Sequence, residues 1–218
     1  MKSGAAPRFR AGVPRPYHHR AMLLYDSQES GNCYKVRLLF AHLGIAYERE
    51  ELSVYDRSNR PVVLAGKNPA LRVPTLILDD GRVLGESNAI LWYFADGTKY
   101  VPEDRFERAQ VLQWQFFEQY DHEPNIAVAR FWKLAEITPS DEDAAGKGHG
   151  GKRALKAMES HLSTREFLVG DRYSIADISL YAYTHVAPEG GFDLQPYPAI
   201  NAWLERVAAQ PGHVPITA

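Results

Sequence analysis

The apolar positions of this chain fall first into short runs and later into three- and four-residue steps, and that change of period divides the sequence. Met22-Leu23-Leu24-Tyr25 is a brief apolar run closed by Asp26-Ser27-Gln28-Glu29-Ser30-Gly31, which reads as a buried strand entering a loop. From Cys33 onward Val36, Leu39, Phe40 and Leu43 recur at helical spacing as far as Gly44, a natural helix stop. Tyr47 to Val54 predicts a second strand, so strand, helix and strand together begin a parallel unit. Asp56 to Lys67 is polar and irregular and reads as a loop with at most a short helix. Arg72 to Leu78 and Arg82 to Leu84 flank Asp79-Asp80-Gly81, a strong hairpin signal that closes the sheet. Glu86-Ser87 then leads into Ala89, Ile90, Trp92, Tyr93 and Phe94, a compact helix ended by Asp96-Gly97.

Past a linker containing Pro102 no further strand is predicted. Phe106, Ala109, Leu112, Phe116, Phe117 and Tyr120 form an amphipathic helical stripe, and Pro124 should kink or restart it before Ile126, Ala129, Trp132 and Leu134. Thr138 to Gly151 is charged and glycine-rich and reads as a mobile loop, followed by a helix marked by Leu155, Met158 and Leu162. Ser174-Ile175-Ala176-Asp177 has the spacing of a capping box with Asp in the returning position, a structural role for Asp177. A last helix should start at Pro198 and stop at Pro211-Gly212. The expected plan is thus a tail over residues 1–21, a βαβ-then-ββα domain over 22–97, a linker over 98–103 and an all-helical domain over 104–218.

Composition narrows the function classes. A chain of 218 residues with 45% hydrophobic content has room for two small domains. Its formal net charge of −2 gives no basic surface for a nucleic acid, and no apolar run approaches the roughly 18 residues of a membrane span. The single cysteine, Cys33, rules out an intramolecular disulfide framework and suits a reducing, cytoplasmic setting. Residues 1–21 are rich in Arg, Pro and His without the apolar stretch of a secretory signal, and Pro14 and Pro16 interrupt any amphipathic presequence helix.

The chemistry concentrates at Ser30-Gly31-Asn32-Cys33. A hydroxyl there lies at the end of a strand and beside a helix N-terminus, where free N–H groups and the helix dipole favour a thiolate over a thiol of pKa about 8.5. Ser30-x-x-Cys33 is also the spacing of a redox Cys-x-x-Cys motif with serine in the attacking position, leaving Cys33 in the more buried place. An external thiol held by Ser30 is then the better nucleophile, although an ordinary turn and cap has the same sequence. Val73-Pro74 at a strand start could leave backbone groups free for an extended peptide, or could be a plain strand start. Glu86-Ser87 offers a carboxylate for an ammonium, and a hydroxyl with free N–H groups for a carboxylate, or serves simply as a cap.

Taken together, Ser30-Gly31-Asn32-Cys33, Asn68-Pro69 with Arg72-Val73-Pro74-Thr75-Leu76, Glu86-Ser87-Asn88-Ala89-Ile90, Phe167-Leu168-Val169-Gly170 and Tyr173-Ser174-Ile175-Ala176-Asp177-Ile178 resemble the cytosolic glutathione transferases, especially the bacterial and theta-, delta- or beta-like members that use serine. The resemblance covers roughly residues 22 to 210. It implies a thioredoxin-like N-terminal domain, an all-helical C-terminal domain, a homodimer, and conjugation of reduced glutathione to a small electrophile, with no metal. Carried over, Ser30 is the catalytic hydroxyl, with Asn32 able to share the thiolate contact. Val73 supplies backbone to the cysteinyl part, and Glu86 with Ser87 holds the γ-glutamyl end. Arg72 either faces the glycine carboxylate or is a solvated surface arginine. Ser58 to Gly66 departs from the family pattern and carries no assigned site residue. Tyr120, His122, Arg130 and Trp132 are candidates by type only for the electrophile pocket, since aromatic residues at helical spacing are usually core and His122 reads better as a cap at Pro124 than as a metal ligand. Two alternatives remain: a glutathione-dependent oxidoreductase working through Cys33, and a non-catalytic binding module on the same fold.

Overall fold

The computed structural model describes residues 21–218; the expectations for the tail over residues 1–20 lie outside that range. Strand β1 (Leu23–Asp26) pairs in parallel with β2 (Glu48–Glu51), with Leu23 opposite Glu48, and antiparallel with β3 (Thr75–Ile77). β3 in turn pairs with β4 (Val83–Gly85), giving the order β2-β1-β3-β4. Helix α1 (Gly31–Leu43) bridges β1 and β2, α2 (Arg60–Val63) is a single turn, and α3 (Ser87–Ala95) follows the hairpin. This is the βαβ-then-ββα plan of the sequence. β2 is shorter than the stretch from Tyr47 to Val54 because only Glu48–Glu51, an exposed and wholly charged segment, finds a partner in β1.

The second half holds α4 (Arg105–Phe117), a π-helical turn (Glu118–His122), α5 (Glu123–Leu134), α6 (Asp141–Leu162), α7 (Ile175–Thr184) and α8 (Pro198–Ala208), with no strand among its described residues. Pro124 does restart the helix: it occupies the first turn of α5, where a missing N–H is harmless. The main core joins both halves, with Tyr34, Leu38 and Leu39 of α1 and Leu91 of α3 packed with Ile178, Ala182 and Tyr183 of α7 and with Trp203 of α8. The capping box at Ser174 forms as expected. Asp177 also accepts from the Leu168 N–H at 3.0 Å and from the Trp203 indole at 2.9 Å.

Two expectations are corrected. The stretch from Thr138 to Gly151 is not a mobile loop, since α6 begins at Asp141 within it. Ser140 caps the helix through the Asp143 N–H, and Asp141, Glu142 and Asp143 complement the dipole of its first turn. Two of its glycines, Gly150 and Gly151, serve close packing. A Cβ on Gly150 would stand 2.3 Å from Asn125, and one on Gly151 2.3 Å from the Phe192 ring.

Most of the expected stripe from Phe106 to Tyr120 is also turned outward, while Phe117 packs against the main core. Phe106, Leu112, Phe116 and Tyr120 are exposed, at 70%, 40%, 69% and 85%, whereas Val111, Trp114, Gln115 and Glu118 are buried. The polar members of the inner face are satisfied there. Gln115 accepts from the Trp92 indole and donates to Ser179 at 3.2 Å, while Glu118 meets Lys35.

Candidate functional site

The loop after β1 delivers Ser30 to the N-terminus of α1. Its backbone is extended, and its Oγ accepts a hydrogen bond from the Cys33 N–H at 3.3 Å, so the hydroxyl proton is left over for another acceptor. Gly31 is needed at the next position: a Cβ there would fall 2.6 Å from the Tyr183 ring. That close approach lets the Asn32 N–H donate to the Tyr183 hydroxyl at 3.3 Å. Cys33 is fully buried beneath the loop, and burial together with the Asp26 charge pushes its thiol well above the usual range.

Asn32 is the hub of a polar network that sequence reasoning missed. Its Oδ1 accepts from Lys35 Nζ at 2.8 Å and from Ser87 Oγ at 3.3 Å, while its Nδ2 donates to Glu123 Oε1 at 3.2 Å. Lys35, with no exposed side-chain area, forms a 2.8 Å ion pair with the equally buried Glu118 on the π-helical turn. Glu118 also accepts from Asn88 at 3.3 Å and from Gln119 at 2.7 Å. The two halves of the chain are therefore joined by a buried ion pair directly under Asn32. Burial, and then the neighbouring Glu118 charge, raises the Glu123 carboxyl above the ordinary carboxylate range.

On the opposite wall the Val73–Pro74 peptide bond is cis. Among the described residues the Val73 backbone makes no hydrogen bond, whereas the Arg72 carbonyl accepts from Asn68 at 3.2 Å and from Thr75 at 2.7 Å. Glu86, preceding α3, has φ of 63°, a left-handed backbone that costs a non-glycine residue on the order of 1–3 kcal/mol. Its carboxylate does not cap α3, so the N–H groups of that helix start are not consumed by it. Ser87 is 4% exposed and its hydroxyl points back to Asn32 and Lys35.

These pieces line two adjoining cavities. One, of about 520 Å³, contains Ser30, Asn32, Arg72, Val73, Glu123 and Tyr183; the other, of about 60 Å³, contains Asn32, Arg72, Val73, Glu86, Ser87 and Glu123. All six residues singled out from the sequence thus face a single cleft, and Arg72, though exposed, lies on its wall. The four type-based pocket candidates fare differently. Arg130 lines the cleft, its Nε paired with Glu189 at 2.6 Å, but Tyr120, His122 and Trp132 do not. Tyr120 points to solvent because the inner face of the helix is taken by Glu118. His122 neither caps α5 nor joins a metal-binding cluster among the described residues. It is buried against Thr184 at 2.9 Å, and burial lowers its pKa to about 3. The C-terminal wall consists instead of Pro124, Ala127, Val128, Phe131 and Leu134 of α5. Of these only Leu134 belongs to the apolar stripe expected from the sequence, since nothing local tells a helix face lining a cleft from one lining a core.

Comparison with known proteins places this geometry among relatives. Residues 29–96 match the glutathione S-transferase N-terminal domain model and residues 125–211 the glutathione S-transferase C-terminal domain model. A glutathione S-transferase structure from Pseudomonas fluorescens is 49% identical over 91% of this chain and all of that one, with a TM-score of 0.86. Glutathione S-transferase 2 of Anopheles gambiae is 29% identical over 84% of this chain and 88% of its own length. Elongation factor 1-gamma of Artemia salina is 30% identical over 76% of this chain, which spans only 40% of that relative's length.

Proposed function

This chain belongs to the glutathione S-transferase family, and from that premise we propose that it binds reduced glutathione along the cleft and transfers it to a small electrophile. The observation that carries the reading is Ser30. Its oxygen is occupied by the Cys33 N–H, its proton is uncommitted among the described residues, and it faces the cleft at the N-terminus of α1. A thiol arriving there loses its proton to solvent. The resulting sulfur anion accepts the Ser30 hydroxyl and is favoured by the helix dipole.

Asn32 stands beside it with its amide orientation set by Lys35 and Ser87. The backbone of Val73 would pair with the cysteinyl amide of glutathione. Glu86 would accept from the γ-glutamyl ammonium, the start of α3 with Ser87 would hold the γ-glutamyl carboxylate, and Arg72 would face the glycine carboxylate. Holding thiolate and electrophile together supplies the rate. The new carbon–sulfur bond forms as the electron pair departs with a leaving group or moves onto the adjacent carbon of an activated double bond.

The exposed apolar side chains of α4, Phe106, Leu112 and Phe116, together with Tyr93 of α3, support a homodimer, because a monomer rarely leaves so many large hydrophobic groups in water. Sedimentation velocity should report a dimer, and Phe116→Glu a monomer. The oxidoreductase reading through Cys33 is disfavoured by its burial and its raised thiol pKa, so Cys33→Ala should retain turnover. A non-catalytic module remains the second reading, favoured by the likeness to elongation factor 1-gamma. A panel of chromogenic electrophiles separates the two. Turnover that falls by about 100-fold or more in Ser30→Ala, the scale of losing one oxyanion-type donor, supports the transferase; a folded protein inert to all of them supports the module.

A further inference from the structure

The cleft wall holds more positive charge than its own carboxylates neutralise. Five cationic side chains line it, Arg57, Arg60, Arg72, Arg130 and Lys147, against Glu29, Glu86 and Glu123. Arg130 is consumed by Glu189 and by the Glu29 carbonyl, and Glu123 is hydrogen-bonded to Asn32. No carboxylate pairs with Arg57, Arg60, Arg72 or Lys147 among the described residues.

Arg60 is the most unusual of these. It is only 4% exposed, donates to the Ser53 carbonyl at 2.8 Å and to the Leu71 carbonyl at 3.5 Å, and its Nε has no partner among the described residues. Arginine is almost never buried unless its charge is paired. Burial first, and then the charge of Arg57, disfavours the Arg60 cation, which adds to the imbalance. Arg57 also lies 5.6 Å above the Phe131 ring, and Phe131 stacks on Tyr55 at 6.1 Å with the ring planes 16° apart. A pair of guanidiniums thus stands next to an aromatic surface built from both halves of the chain, on the wall of the same cleft as Ser30.

We propose that the electrophilic substrate is an aromatic or unsaturated carboxylate, held through its carboxylate by Arg57 and Arg60 with its flat body against Tyr55 and Phe131. The inference rests on the transferase reading, in which the two carboxylates of glutathione are already taken by the start of α3 and by Arg72. With a halogenated aryl acid, the thiolate sulfur bonds to the ring carbon, the carbon–halogen bond breaks, and halide leaves with the electron pair.

The test uses two synthetic conjugates, S-(carboxybenzyl)glutathione and its neutral carboxamide analogue, titrated by calorimetry into the full chain, into Arg57→Gln and into Arg57→Lys. Arg57 is exposed, so its variants keep the loop that Arg60 braces. The carboxylate conjugate should bind about tenfold or more tightly than the amide, the scale of one charge-assisted hydrogen bond. That preference should vanish in Arg57→Gln and partly return in Arg57→Lys, with the affinity for plain glutathione unchanged. Equal binding of the two conjugates, or a preference that survives Arg57→Gln, overturns the proposal. So does a loss in Arg57→Gln shared by plain glutathione but not by its glycine ethyl ester, which would give the arginines to glutathione itself. Failure of plain glutathione to bind the unaltered protein would instead sink the transferase reading on which the proposal stands.

Discussion

The buried pair under Asn32 permits a quantitative test of how the two halves cooperate. Lys35 and Glu118 have no exposed side-chain area and approach to 2.8 Å, and the ammonium is completed by Asn32 at 2.8 Å and Ser87 at 3.4 Å. Glu118→Leu keeps the volume but strands the ammonium, which should cost about 3–5 kcal/mol. For a chain of this length that corresponds to a melting temperature lower by roughly 6–20 °C. The double variant Lys35→Met/Glu118→Leu removes both charges and fills the space with apolar atoms, so it should recover to within about 1 kcal/mol of the parent or exceed it. Its glutathione affinity should nevertheless stay low, because Asn32 Oδ1 has lost the donor that orients its amide. Urea unfolding of the four proteins as a double-mutant cycle, with glutathione titrations alongside, reads both effects. A single-variant cost below about 1 kcal/mol, or a double variant no more stable than the singles, would refute the assignment of this pair as a dry, mutually dependent contact.

Other outcomes follow from the same structure. His122 is buried as the neutral base with its pKa lowered from 6.5 to about 3, so the unfolded chain takes up its proton first and stability falls as pH drops below 6.5. Between pH 8 and pH 5 the parent should lose about 2 kcal/mol more than His122→Gln, checked by urea midpoints at the two pH values. The glycines of α6 should separate by environment. Gly146→Ala, with nothing within 4 Å of its new Cβ, should stabilise by roughly 0.5–1 kcal/mol. Gly151→Ala, facing Phe192 at 2.3 Å, should destabilise by about 1–3 kcal/mol, both read by thermal melts.

Much of the fold was legible because its signals are local. The Asp79-Asp80-Gly81 turn, the Gly44 stop and the Ser174 capping box each carry their geometry in a few neighbouring residues. The errors arose where tertiary partners override local pattern. α6 was hidden because glycine reads as a breaker until Asn125 and Phe192 are seen to require it. The stripe on α4 faced the wrong way because Gln115 and Glu118 look like surface residues until Trp92, Ser179 and Lys35 are brought to them from far along the chain. The cleft shows the same division. Ser30, Val73, Glu86 and Ser87 sit in compact motifs, whereas Glu123, Arg57 and Arg60 reach it through loops and helix packing that no spacing encodes.

The central claim is that Ser30 stabilises a glutathione thiolate, and a calorimetric titration of reduced glutathione into the protein and into Ser30→Ala, across pH 6 to 9 and in buffers of different ionisation enthalpy, tests it most directly. The account predicts release of the thiol proton on binding near neutral pH, more than a unit below the thiol's free pKa of about 8.5, and loss of that release in the variant while glutathione still binds. Binding without proton release in the unaltered protein, or the same release in Ser30→Ala, would contradict it.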